Sequence, residues 1–208
     1  MVKVLWVTEN YPPQSGGMAQ SCDRIVHTLR RDIQIDVLHF HSRDSQSVVP
    51  QNGGLLLRVP VDGDPAHAAH CAWNAISRTK DYTHVVAFGG HLPLLMRPAL
   101  SSWLSARLIT LLRGNDFDLG IFDYKRLAIV ETALRKSWRI CVVTQDMRLK
   151  IEKLFGLHPV WIPNGINLQH WRPVASDRDW ATAFRQPYTE RLILGIFGHL
   201  KKKKGGRF

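Results

Sequence analysis

The feature that most constrains this chain is an alternation of short apolar runs with longer amphipathic stretches, continued as far as Ile162. Val2–Thr8 is almost continuously apolar, the pattern of a strand covered on both faces. Met18–Arg31 then places Met18, Cys22, Ile25, Val26 and Leu29 on one helical face. The same reading predicts strands over Gln34–Phe40, Leu55–Pro60, Thr83–Phe88, Arg107–Leu112, Arg139–Thr144 and Pro159–Ile162. Helices are predicted over Pro65–Lys80, Leu92–Leu104, Phe122–Lys136 and Gln145–Phe155. Such alternation predicts the α/β class: a Rossmann-like, doubly wound, mainly parallel sheet flanked by helices.

In sheets of this kind ligands bind beyond the carboxyl ends of the strands. The polar and glycine-rich segments fall there: Glu9–Gly17, Gly89–His91, Arg113–Asp118, Thr144–Asp146 and Pro163–Asn167. Five strand-end loops would rim one crevice. Gly16 and Gly17 stand directly before the helix that starts near Met18. Glycines there admit backbone conformations closed to other residues and let an anion approach the helix N-terminal amides. The spacing is not G-x-G-x-x-G, so an ordinary dinucleotide fingerprint is absent. A plain strand–helix turn is the competing reading of the dipeptide.

The 208 residues are 45% apolar, enough to bury a sizeable core. The formal net charge is +11; Lys201–Lys204 and Arg207 supply five of it, leaving +6. A balance of that sign attracts phosphates, anionic lipid or nucleic acid. No zinc-finger or basic-zipper spacing is present, so nucleic acid is not expected as a partner. No apolar run reaches membrane-spanning length, and no basic region with a signal core opens the chain. A cytoplasmic protein is expected, with peripheral contact at the inner face of the membrane kept as an extension. Cys22, Cys71 and Cys141 show no metal or redox spacing and read as buried thiols.

After Asn167 the pattern changes. Residues 168–190 are mixed and Trp-rich, a connector by composition. Arg191–Phe197 reads as a new buried strand, followed at once by "GHLKKKKGG". A lone strand without a sheet is an improbable design. The expected organisation is an N-terminal domain over 1–170, a connector over 171–190, and the cut-off start of a second domain over 191–208. Dimerisation through 191–197 is a further expectation, since an unpaired apolar strand invites edge pairing.

Six ordered segments carry a family resemblance. "ENYPPQSGGMAQ" resembles the opening loop of group 1 (family 4) retaining glycosyltransferases. "HVVAFGGH" resembles their apolar strand ending in histidine, and "LLRGNDFD" sits where they have a strand and His-Gly-x-Asp. "VVTQDMRLKIEKLFG" is similar to their strand–Ser–helix segment. "VWIPNGIN" is similar to Ile-Pro-Asn-Gly-Ile/Val-Asp, and "ILGIFGHLKKKKG" to the first strand and loop of their second domain. The resemblance implies one half of a GT-B enzyme, in which two Rossmann-like domains face each other. The N-terminal half mainly binds acceptor; the other mainly binds the nucleotide-sugar donor.

It further implies that a complete enzyme moves a sugar from a nucleotide diphosphate sugar to a hydroxyl of a glycan, lipid or small-molecule acceptor, without an obligatory metal. This chain would be inactive without its missing C-terminal domain. His91 would bond a sugar hydroxyl at the reacting centre, with Asp116 as a second catalytic residue. Gly16, Gly17, His199 and Lys204 would meet the donor phosphate or sugar. Arg113, Asp116 and Asn164 would hold the acceptor. Arg113 stands where the family often has His, and its planar fork suits an acceptor phosphate or carboxylate. His199 stands where the family has the arginine that contacts the donor diphosphate. Asn164 and Gly165 also read as shaping the turn into the interdomain segment. Asp116-Phe117-Asp118 offers an oxygen pair of the kind that holds Mg or Mn, a reading that the ordered matches disfavour. Two alternatives stay open. One is a nucleotide-sugar epimerase or phosphorylase half on the same plan. The other is a non-catalytic basic module for anionic membrane or polymer.

Overall fold

The computed structural model describes residues 2–41, 46–61, 63–77, 81–169 and 171–195. The chain divides into two compact units between Asn164 and Gly165. In the first, β1 (Lys3–Thr8), α1 (Gly17–Leu29), β2 (Gln34–His41), β3 (Ser47–Gln51), β4 (Gly54–Pro60) and α2 (Pro65–Ile76) come in order. They are followed by β5 (His84–Phe88), α3 (His91–Leu104), β6 (Arg107–Leu112), α4 (Asn115–Ile121), α5 (Tyr124–Arg135), β7 (Arg139–Val142), α6 (Gln145–Phe155) and β8 (Val160–Trp161).

The eight strands form one sheet in the order β3-β4-β2-β1-β5-β6-β7-β8. Every pair is parallel except β3–β4. Chain direction across the sheet reverses between β1 and β5, which puts the topological switch point above the carboxyl ends of those two strands. The doubly wound architecture is therefore the one expected.

The apolar runs become strands because helices cover both faces. All six residues of β1 are buried. Leu5 and Val7 face one way and pack with Leu38, Phe40, Leu57 and Val85 against Ala72 and Ile76 of α2 and Met96 and Leu100 of α3. Val4 and Trp6 face the other way, with Ile35, Val37 and Phe88 against Cys22 and Val26 of α1. Burying each such side chain is worth about 1.5–3 kcal/mol. A third cluster joins Leu112 and Val142 to Phe117, Val130, Leu134, Met147 and Ile151. Cys22 and Cys71 are buried as expected; Cys141 is only partly so.

The amino ends of the strands are tied by charge. Lys3 Nζ lies 2.8 Å from Asp81 Oδ1 and 3.8 Å from Asp36 Oδ2. Asp36 is fully buried. It accepts the Leu55 amide and the Tyr82 hydroxyl, each at 2.7 Å.

The structure departs from the sequence-based expectations in four places. Residues 47–51 form β3, paired antiparallel to β4 with Gln51 opposite Gly54 across an Asn52-Gly53 turn. Asn-Gly is a strong hairpin signal, and Pro50 is tolerated because β3 is an edge strand. Residues 115–121 form α4 rather than loop, and α5 begins at Tyr124 because Asp123 caps it through the Lys125 amide at 3.0 Å. In the second unit, α7 (Ala175–Arg185) and a 3-10 turn over Gln186–Tyr188 occupy the expected connector. Trp180 stacks on Phe184 at 5.2 Å along α7. Over 191–195 the expected strand Arg191–Phe197 is not formed, since the second unit has no strand to pair with it among the described residues. Ile196 and Phe197 lie outside the described residues, as do residues 78–80 at the end of the second expected helix.

Candidate functional site

The candidate site is built on three strand-end loops. After β1, Glu9 turns toward the start of α3. Its Oε1 accepts the Leu92 amide at 2.8 Å and its Oε2 accepts the His91 amide at 3.1 Å. Gly90 caps α3 at φ +88°, and a Cβ there would lie 2.2 Å from Glu9 Oε2. The N-terminus of α3, a natural seat for an anion, is thus filled by the protein's own carboxylate. His91 is the first residue of α3, and its side chain lines the adjoining cavity.

After β6 the chain folds around Asp116. Oδ1 accepts the amides of Gly114 at 2.7 Å, Arg113 at 3.1 Å and Phe117 at 3.1 Å. Oδ2 accepts the Arg113 amide at 2.9 Å. Burial pushes the carboxyl pKa up, and the same amides oppose that rise. The carboxylate predicted to act on substrate is therefore also what shapes its loop.

Arg113 reaches across the carboxyl end of the sheet. Its Nη2 donates to Ser21 Oγ of α1 at 2.6 Å and to Asn164 Oδ1 at 2.5 Å. The guanidinium lies 5.0 Å over the Phe88 ring. Burial lowers its pKa, and the Asp116 charge works the other way. Asn164 is exposed and is tied to the site by this bond.

Together these loops enclose a cavity of about 510 Å³. Its lining takes Asn10, Met18, Gly90, His91, Leu94, Arg113, Gly114 and Asp116 together with Leu119, Gly120, Arg126, Ile129 and Val130 of α4 and α5.

The start of α1 adjoins it through Met18 and lacks the side-chain N-cap that α2, α5 and α6 have. Asp64 caps α2, Thr144 caps α6 through the Met147 amide at 3.1 Å, and Asp123 caps α5. No side chain caps α1, and its first turn holds no acid. Gly16 has φ +126°, which only glycine adopts without strain. Gly17 has no such need, and a Cβ on either residue would meet nothing within 4 Å.

His91, Arg113 and Asp116 line one cavity, with Asn164 linked through Arg113, while Gly16 and Gly17 precede its lining residue Met18 without lining it themselves. His199 and Lys204 lie outside the described residues. Thr144–Asp146 caps α6 and lines no part of the cavity. Asp118 is paired with Lys150 Nζ at 3.1 Å, so both carboxylates of the Asp-x-Asp pair are engaged by the protein's own groups.

Three residues escaped the sequence reading. Glu9 is the last polar residue before the Pro-Pro loop apart from Asn10, and nothing in its spacing ties it to α3. Arg97 is wholly buried on the inner face of α3 between Leu94 and Leu100. Its Nη1 donates to Thr110 Oγ1, while Nε and Nη2 have no partner among the described residues. Burial lowers its pKa to about 9, with Asp116 opposing. An arginine at the apolar spacing of a helix was the available signal. His39 is 2% exposed in β2 beside Tyr11 and His41, and neither ring nitrogen has a partner among the described residues. Burial lowers its pKa to about 4.

Residues 15–170, well over half of the chain, match the sequence model of Glycosyltransferase Family 4. The chain belongs to Glycosyltransferase Family 4. Its fold is shared with a sucrose-phosphate synthase from Thermosynechococcus elongatus, at a TM-score of 0.66 and 13% identity, over 88% of this chain and 53% of the synthase chain. A second chain of that synthase matches at a TM-score of 0.56 and 10% identity, over 89% of this chain and 99% of its own. At such identities the likeness concerns fold alone. This family 4 chain spans about half the length of the first synthase chain. No curated protein sequence matches it.

Proposed function

We propose that this chain is the acceptor-side half of a retaining glycosyltransferase. The complete enzyme would transfer a sugar from a nucleotide diphosphate sugar to an acceptor hydroxyl held in the cavity at the carboxyl end of the sheet. The observation that carries the reading is the start of α1. It has no side-chain cap and stands behind two glycines with open space above them, and among the described residues no carboxylate fills it as Glu9 fills α3.

Free amides and a positive helix end stabilise charge that grows on a departing diphosphate. Gly17 keeps side-chain bulk away from that approach. His91, on the cavity wall at the end of β5, would bond a hydroxyl of the reacting sugar. Asp116 holds the Arg113 loop in shape and keeps one side of Oδ2 for an acceptor hydroxyl. Donor contacts from His199, Lys204 and a second domain complete the site in this reading, with no obligatory metal, and the chain alone transfers no sugar. The exposed Leu192 and Leu194 are the surface that a second domain, or a second copy, would cover. No described helix is long and apolar enough to cross a membrane; peripheral contact remains part of the proposal, on the strength of the positive net charge.

The test is a titration of isotopically labelled chain with uridine diphosphate glucose and guanosine diphosphate mannose. Amide signals of Gly17, Met18 and Ala19 should shift while those at the start of capped α6 stay in place. Failure of both diphosphate sugars to move the α1 signals, or sugar transfer by the 208-residue chain alone, would defeat the reading.

A further inference from the structure

Arg97 is a charge sealed inside the fold. It stands on α3, wholly buried, with Leu94 and Leu100 buried one turn to either side. Nη1 donates to Thr110 Oγ1 of β6. That hydroxyl meets Ser137 Oγ at 2.5 Å, and Ser137 donates to the Ala133 carbonyl of α5 at 2.8 Å. Ser137 spends its proton on Ala133, so Thr110 donates to Ser137 and offers Arg97 only a lone pair. Every partner in this line is neutral, so it fixes the guanidinium without balancing it. Among the described residues Nε and Nη2 have no partner and no carboxylate bonds the group. A cation buried in this way is costly unless an opposite charge lies within its field.

Asp116 provides that charge from the cavity. Leu94 lines the cavity together with Asp116. Phe117, the next residue, is buried in one cluster with Leu94 and Val130. Thr110, which holds Arg97, lies on the strand that leads into the Asp116 loop. Asp116 is also the acid whose charge opposes the lowering of the Arg97 pKa. The dependence runs both ways, because burial pushes the Asp116 carboxyl up and the hydrogen bonds it accepts come from neutral amides. Arg113 of the same loop feels the Asp116 charge too, but it is only partly buried and lines the cavity, so whatever fills the cavity meets it. Arg97 is no part of the lining, and a charge shut away from solvent acts with little dielectric or salt screening. His91 of α3 and Arg126 of α5 line the same cavity, and Glu9 ends on the α3 amides beside it. Asp118 of α4 is turned to Lys150 of α6 at 3.1 Å.

We propose that Arg97 is a positioning residue for the cavity: a fixed, buried cation that keeps the Asp116 carboxylate ionised when an acceptor displaces its water. The proposal rests on the reading in which Asp116 meets the acceptor hydroxyl. An ionised carboxylate only accepts hydrogen bonds, so it takes the hydroxyl by its proton. A protonated one would present a donor of its own and lose that selectivity. Loss of water favours the protonated form, as for any buried carboxylate. A cation that no ligand touches and no salt screens offsets that tendency throughout binding.

The experiment follows the side-chain carboxyl carbon of Asp116 by NMR, in labelled chain, between about pH 4 and pH 9. In the native chain the buried Arg97 Nε–H signal should shift with the same midpoint as that carbon. Arg97→Met, which removes the charge and keeps the bulk, should raise the midpoint by about one pH unit. Leu100→Ala, which loosens the same helix and removes no charge, should leave it in place. An Asp116 midpoint unchanged in Arg97→Met, or raised as much by Leu100→Ala, makes Arg97 a packing residue and overturns the proposal. If Arg97→Met does not fold, the native chain decides. An Nε–H signal indifferent to the Asp116 titration then overturns the proposal, and one that follows it sustains it. No ligand enters these titrations, so their failure leaves the acceptor-side reading standing, and failure of the diphosphate-sugar test leaves their outcome intact.

Discussion

Alanine at Gly16 and alanine at Gly17 should have opposite effects on stability, though the two residues are adjacent. Gly16 sits at φ +126°. With ψ 161° this is an extended positive-φ region essentially reserved for glycine, and an L side chain forced into it costs about 1–3 kcal/mol. Gly17 is the first residue of α1 and has no positive φ. Alanine there gains up to about 1 kcal/mol from helix preference and from a less disordered unfolded chain. Nothing lies within 4 Å to clash with the new methyl. The two variants should therefore differ by about 2–3 kcal/mol, the sum of those opposing effects. Urea unfolding of the 208-residue chain, followed by far-UV circular dichroism, reads that difference directly. The Gly17 methyl would stand where the proposed diphosphate meets the α1 amides, so Gly17→Ala should weaken uridine diphosphate glucose binding about tenfold. Gly17→Ala as destabilising as Gly16→Ala would mean that Gly17 is kept for packing. Stable protein with unchanged diphosphate-sugar binding would mean that the open space above α1 is not a ligand site.

Two further expectations concern stability. His39 is buried with its pKa lowered to about 4. The unfolded chain takes up this proton first, so the stabilisation is complete above about pH 6.5 and falls away toward pH 4, by about 3 kcal/mol at most. Urea midpoints of the native chain should fall through that window more steeply than those of His39→Phe, and parallel slopes would exclude His39 as the cause. Asp36→Ala removes the acceptor for the Leu55 amide and the Tyr82 hydroxyl and one of the two carboxylates near Lys3. It should cost about 3 kcal/mol, since buried groups lose their partner while Lys3 keeps Asp81. A loss below about 1 kcal/mol would show that water takes over the role.

The apolar runs Val4–Val7 and Val85–Phe88, with the amphipathic spacing of α1, determine strand and helix before any contact is known. Burial on both faces permits few other arrangements of such runs. The loops that carry Gly16, His91, Arg113 and Asp116 are legible on the same ground, because they must fall at strand ends. The Asn52-Gly53 hairpin was not among the expected elements, although its turn chemistry carries the signal. The short α4 and the polar α7 were not. Seven residues give too little periodicity, and no side chain of α7 is buried to mark a face. Side-chain commitments across the sheet depend wholly on tertiary structure. Glu9 meets α3, and Arg113 meets Ser21 and Asn164, only because parallel strands bring residues 82, 92 and 51 positions apart to one end. Local sequence sets which backbone conformations are cheap. Asp116 is committed by its own loop, but whether Glu9 meets the α3 amides, and what the Arg113 guanidinium bonds, is decided by contacts between segments that sequence spacing does not relate.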